Sequence, residues 1–199
     1  MYGKSTTNVG NNQHLIHRLP AGMMHDDSST ELFGCRTTKK MFAISKGNTI
    51  PFEELEPSKR AQIFERLLDD PIALQDLKNY SQEKAIEQFA FCVFGAADSE
   101  PDFCKNGELQ AADNFICSSN CMCLKWPSKK ITVEGVQLTS RQLEIAQLMA
   151  TDLCDKQIAD RLGITISTLD THKKTLFEKC NVHSKTALVI KLIDQKIIQ

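Results

Sequence analysis

The feature that most constrains this chain is the punctuation of its last segment, Leu138 to Ile198. Thr139-Ser140-Arg141-Gln142 has the form of a capping box, in which the Thr hydroxyl caps the backbone N–H of Gln142 and the Gln side chain reaches back. Leu143, Ala146, Leu148 and Met149 then mark the buried face of a helix. A second helix is expected over Lys156–Leu162, with Ile158, Ala159 and Leu162 inward. Gly163 follows it, where positive φ costs least. Thr165 is placed to cap a third helix carrying Leu169, His172, Leu176 and Phe177 on one side. Ser184 is placed to cap a fourth, with Leu188, Val189, Leu192 and Ile193 at helical spacing. Two helices cross steeply through so short a turn only if a small residue of the first faces the second. Ala159 supplies that residue and Gly163 the turn.

This leaves Thr168, Asp170, Thr171, Lys173, Lys174 and Lys179 on the outer face of the third helix. Such a face fits a major groove about 12 Å wide, with the N-terminal turns nearest the bases. The segment resembles the LuxR-type (GerE-like) helix-turn-helix domain, a four-helix module at the C-terminus of many bacterial regulators. The resemblance rests on Leu138-Thr139-x-Arg141, Lys156-Gln157-Ile158-Ala159, Leu162-Gly163-Ile164, Thr168-Leu169-x-Thr171-His172, Lys179 and Val182-x-Ser184-Lys185-Thr186.

That resemblance implies a sequence-specific transcriptional regulator that binds double-stranded DNA and is not an enzyme. It sets Lys156, Thr168 and Lys185 at positions that touch phosphates, and Asp170, Thr171 and Lys174 where the family meets base edges. Lys173 adds its charge to phosphate neutralisation. His172 matches a partly buried, structural histidine. Two residues depart from the family's pattern: Asp170 stands where lysine is usual, and Gln157 where glutamate is usual. A carboxylate at 170 can accept from a cytosine amino group or hold a neighbouring lysine. Because such modules read paired half-sites, a homodimer is expected; Leu188, Leu192 and Ile193 of the final helix either form its seam or, for most of them, close the domain's own core. RNA polymerase is a further candidate partner.

Upstream of residue 138 nothing reads as a βα-repeat receiver or as an aromatic-rich autoinducer pocket. Residues 1–40, rich in Asn, Ser, Thr, Gly and His, are expected to be a flexible arm. Residues 41–95 are expected to form a small helical domain after a short strand at Met41–Ser45. Its helices start at Pro57, after Asp70-Pro71, and at Ser81. Residues 131–199 complete the chain as the helix-turn-helix domain, entered through a short ribbon that breaks at Gly135. The fold class expected is mainly α.

Between these parts lies a polar, irregular stretch, residues 96–130, that contains four of the chain's eight cysteines. Loops of this length need something to tie them down. Cys117-x3-Cys121-x-Cys123, with Cys104 upstream, offers four thiolates for one tetrahedral zinc; Cys92, at the end of the preceding helix, is the alternative ligand. An iron–sulfur cluster uses the same ligand type, and free or buried thiols remain a third reading. A metal or redox sensor acting on the same DNA-binding domain is therefore the alternative function. Catalysis is not expected, since a thiol nucleophile needs an adjacent base and no His lies between His25 and His172.

The net charge of −1 conceals a mild asymmetry: from Thr139 onward there are nine Lys and Arg against seven Asp and Glu. No apolar run approaches bilayer length and the N-terminus lacks the apolar core of a secretory signal, so a cytoplasmic protein without membrane contact is expected.

Overall fold

The computed structural model describes residues 19–118, 121–195 and 197–198. The first part is a three-stranded antiparallel sheet, β1 (Thr30–Cys35), β2 (Lys40–Ser45) and β3 (Asn48–Pro51), in the order β1-β2-β3. Three helices follow: α1 (Pro57–Leu68), α2 (Pro71–Leu77) and α3 (Gln82–Val93). The expectation of a mainly α chain is therefore corrected in its first half, which has a sheet as well as helices. Residues 1–18 of the expected arm lie outside the described residues, but residues 30–35 are a strand. The reason is register. Phe33 pairs with Phe42 across the ladder and stacks on it at 5.4 Å, while Leu32, Met41 and Ala43 turn into the core. Gly34 lets α3 approach, because a Cβ there would lie 2.6 Å from the Phe91 ring.

The helix starts follow the local chemistry. Pro57 and Pro71 sit in first turns, Asp70 Oδ1 accepts from the Ala73 N–H at 2.9 Å, and Ser81 caps α3 through the Lys84 N–H. The inward face of α1 is Ile63 and Leu67 rather than Ala61 and Leu68, which stay exposed. Leu32, Phe52, Ile63, Leu67, Leu77, Phe89, Phe94, Phe103 and Trp126 belong to one core.

The second part opens with a small hairpin, β4 (Thr132–Val133) and β5 (Val136–Gln137), turning at Glu134-Gly135. Four helices follow: α4 (Ser140–Met149), α5 (Asp155–Leu162), α6 (Ile166–Lys179) and α7 (Lys185–Asp194). Their caps are those read from the sequence. Thr139 and Gln142 form both bonds of the capping box, Thr165 caps α6, Ser184 caps α7, and Gly163 ends α5 at φ +64°. The core here is Leu143, Ile145, Ala146, Met149, Ile158, Ala159, Leu169, Leu176, Leu188 and Leu192, joined by Ile116, Ile131 and Val133 from the preceding segment.

That segment joins the two cores. Neighbours along it point to opposite sides: Phe115, Cys117, Cys123 and Trp126 enter the first core, while Ile116, Leu124 and Ile131 pack on the second. Side chains of the first unit hold its backbone. Gln62 bonds Gly107 O and Leu109 N, Asp70 Oδ2 accepts from Ser128 N, and Trp126 Nε1 donates to Asp76 at 2.8 Å.

Three carboxylates gather beside β1, Glu31 and Asp102 buried and Asp113 half-buried. Glu31 accepts from Asp98 N, Asp102 from Leu32 N and Asp113 from Ala96 N. Loss of hydration pushes Glu31 up to about 9 and Asp113 up to about 7, and raises Asp102 well above the carboxylate range.

Candidate nucleic-acid interface and cysteine centre

α5 and α6 meet through Gly163-Ile164-Thr165, with Ala159 buried where the helices cross. Arg141 fixes the turn from the side: one guanidinium nitrogen donates to Leu162 O at 2.9 Å and another pairs with Glu144 at 2.7 Å. Lys179 is fixed likewise, donating to Gln137 O and Gln142 Oε1. The buried stripe of α6 is Leu169 and Leu176, with His172 and Lys173 half-buried beside it. Opposite lie Ser167, Thr171, Lys174 and Glu178, all exposed, flanked by Asp170 and Thr175.

The seven residues expected to meet DNA do not stand equally. Lys156, Thr168, Asp170, Thr171 and Lys174 are exposed. Among the described residues, the ammonium groups of Lys156 and Lys174 have no intramolecular partner. Lys173 is drawn inward: its side chain is only 17% exposed and its ammonium lies 2.6 Å from Asp155, on the first turn of α5. The sequence reading did not single out Asp155, though an acid opening α5 was the available sign. Lys185 is exposed but donates to Thr151 O and Leu153 O, closing the end of α4.

The thiols gather at the joint. The Sγ atoms of Cys92, Cys117, Cys121 and Cys123 all lie within 4.8 Å of one another, and Cys117 and Cys123 are 3.4 Å apart. Cys104, set in the first-named ligand group, is outside this cluster. Its thiol bonds Asn106 and Glu108 in a local turn, and Cys92, the alternative, takes the fourth place. Cys92 arrives there because Phe89, one helical turn earlier, stacks on Trp126 at 5.7 Å and so sets the end of α3 against the loop. Lys129, which sequence reasoning missed, is buried in the same place. It donates to Cys92 O, with its ammonium 5.4 Å from the Phe115 ring centre. Hydrogen bonds from Cys121, Cys123 and Cys92 push the Cys117 thiol down, and the buried Lys129 cation acts in the same direction. The bonds Cys92 and Cys123 make to Cys117 push those two thiols up.

A tetrahedral ion with bonds of about 2.3 Å needs sulfurs roughly 3.8 Å apart. The spacing here is compatible with one ion at the centre. The loop's backbone comes from three directions to make it: the end of α3, residue 117 leaving the first core, and the short 3-10 turn Met122–Lys125. Ser140 Oγ, on the first turn of α4, donates to Leu124 O at 2.7 Å, so the same turn touches the second unit directly.

Among the described residues no helix is long and apolar enough to cross a membrane. The family described as bacterial regulatory proteins, luxR family (GerE), matches residues 136–192. An uncharacterized transcriptional regulatory protein of Bacillus subtilis, YxjL, is 38% identical over 61 residues, 31% of this chain and 28% of that protein. The oxygen regulatory protein NreC of Staphylococcus carnosus is 34% identical over 61 residues, with the same coverage. The nitrate/nitrite response regulator protein NarP of Escherichia coli is 37% identical over 59 residues, 30% of this chain and 27% of its own length. This chain thus spans less than a third of the length of these curated relatives. No solved structure matches it significantly. Residues 136–192 are a domain of the luxR family of bacterial regulatory proteins.

Proposed function

We propose that the chain is a sequence-specific transcriptional regulator that binds double-stranded DNA through α6, working as a homodimer in the cytoplasm. The observation that carries this reading is the exposed face of α6 on a luxR-family domain, with Lys156 and Lys174 uncommitted within the fold. Phosphate contacts position such a module and base contacts give it sequence preference. The candidate ligands to DNA remain Lys156, Thr168, Asp170, Thr171, Lys174 and Lys185, with Lys173 in a supporting place behind them. A second copy has a surface to meet: Ile190 and Ile193 on α7 are 54% and 48% exposed, while Leu188 and Leu192 close the domain's own core. RNA polymerase is the further partner a regulator of transcription would meet. Genomic footprinting tests the reading. A recurrent motif with paired half-sites is the expected result, and protection without any shared motif would overturn it.

Cys92, Cys117, Cys121 and Cys123 are proposed to hold one zinc ion that ties the two units together. Four sulfurs within 4.8 Å of one another support a single ion over an iron–sulfur cluster, whose several irons would spread the thiolates more widely. One observation favours a second reading, a thiol redox sensor: Cys117 and Cys123 are already in sulfur–sulfur contact. Metal content of the protein purified without added metal separates the two.

A further inference from the structure

The first turns of α6 offer few free polar groups. The hydroxyls of Thr165 and Thr168 bond each other at 2.9 Å, and the Thr171 hydroxyl donates back to Ser167 O at 3.0 Å. Of these three hydroxyls, that of Thr171 and one of the Thr165–Thr168 pair are therefore already occupied as donors. Asp170 differs. Its side chain is 61% exposed, and its ion pair with Lys173 is long, at 3.8 Å, because Asp155 holds the same ammonium at 2.6 Å. The carboxylate has no strong task inside the fold.

A carboxylate only accepts hydrogen bonds, and one facing a polyanion is repelled unless it meets a donor. The donors in the major groove are cytosine N4 and adenine N6. Adenine sets the N7 acceptor beside N6, against the second carboxylate oxygen, whereas cytosine does not. We infer that Asp170 is a specificity-determining residue that selects cytosine at one fixed position of each half-site. Lys174, one turn along and uncommitted, complements it, since an ammonium suits the O6 and N7 acceptors of guanine. The inference rests on the reading of α6 as the helix that enters the groove.

The test is selection of duplexes from a randomised pool by the full chain, run with the wild type and with Asp170→Asn. The wild type should enrich sites with an invariant cytosine in each half. Changing that cytosine to thymine should weaken wild-type binding on the order of tenfold to a hundredfold. Asp170→Asn should replace the cytosine by adenine, because a carboxamide matches N6 and N7 together. Its melting temperature should move little, since the side chain is 61% exposed and its ion pair with Lys173 is long. The same motif from both proteins would overturn the role of Asp170 and leave DNA reading intact. A pool with no enriched duplex for the wild type would overturn both.

Discussion

Replacing Cys92 by serine should cost the protein its metal and much of its stability, while replacing Cys104 should do neither. Cys92 and Cys117 stand 25 positions apart, and an ion held by both closes that span as a cross-link does. The chain-entropy relation for a closed loop of that length gives about 3.5 kcal/mol of stabilisation. For a chain of this size each kcal/mol moves the midpoint by about 2–4 °C, so the loss should be on the order of 7–14 °C. Elemental analysis and thermal unfolding of the two variants and the wild type read it out, each with and without a chelator. The wild type should carry near one equivalent of zinc, and chelation should lower its midpoint to that of Cys92→Ser. Cys104→Ser should behave as wild type, its thiol being bonded locally to Asn106, Glu108 and Gln110 and lying outside the cluster. Metal retained in Cys92→Ser and lost in Cys104→Ser would refute the geometry; iron with sulfide would refute the single ion.

Further outcomes follow from the two cores. Ala159→Leu should overpack the crossing of α5 and α6 by about 1–3 kcal/mol, since Ala159 is 2% exposed; an unchanged melting temperature would contradict the packing described. Glu31 and Asp113 keep their protons in the fold to about pH 9 and about pH 7, whereas an unfolded chain releases them near pH 4. Between those limits the unfolded state binds fewer protons, so stability should be greatest at the acid end of that window and fall as pH rises through it. Asp102→Asn, whose amide can donate to a neighbouring carboxylate, should flatten this fall; denaturant midpoints at pH 5 and pH 8 measure it.

The second unit was legible because its signals are local. A capping box at Thr139 and Gln142, a glycine after α5 and hydroxyl caps before α6 and α7 each act within a few residues. β1 was not legible, since Glu31, its second residue, breaks the alternation of a strand, and burial pushes its carboxyl up to about 9. On α1, Ala61 and Leu68 satisfy helical spacing as well as Ile63 does, so spacing alone does not identify its inner face. The ligand set was partly legible. Cys117, Cys121 and Cys123 are neighbours in sequence, but the choice of Cys92 over Cys104 depends on Phe89 meeting Trp126 across 37 positions, which no spacing rule contains. The charge on α6 was overcounted for a similar reason, because the pairing of Lys173 with Asp155 joins two helices.

The most direct measurement of the central claim is the salt dependence of duplex affinity for the full chain on its selected site. Affinity should fall steeply as salt rises, with a slope of about −0.9 for each phosphate neutralised. Lys156→Gln should make that slope shallower by about one phosphate's share, whereas Lys173→Gln should leave it unchanged, its ammonium being held by Asp155. Affinity that is independent of salt, or a slope indifferent to Lys156, would contradict the reading of this protein as a DNA-binding regulator.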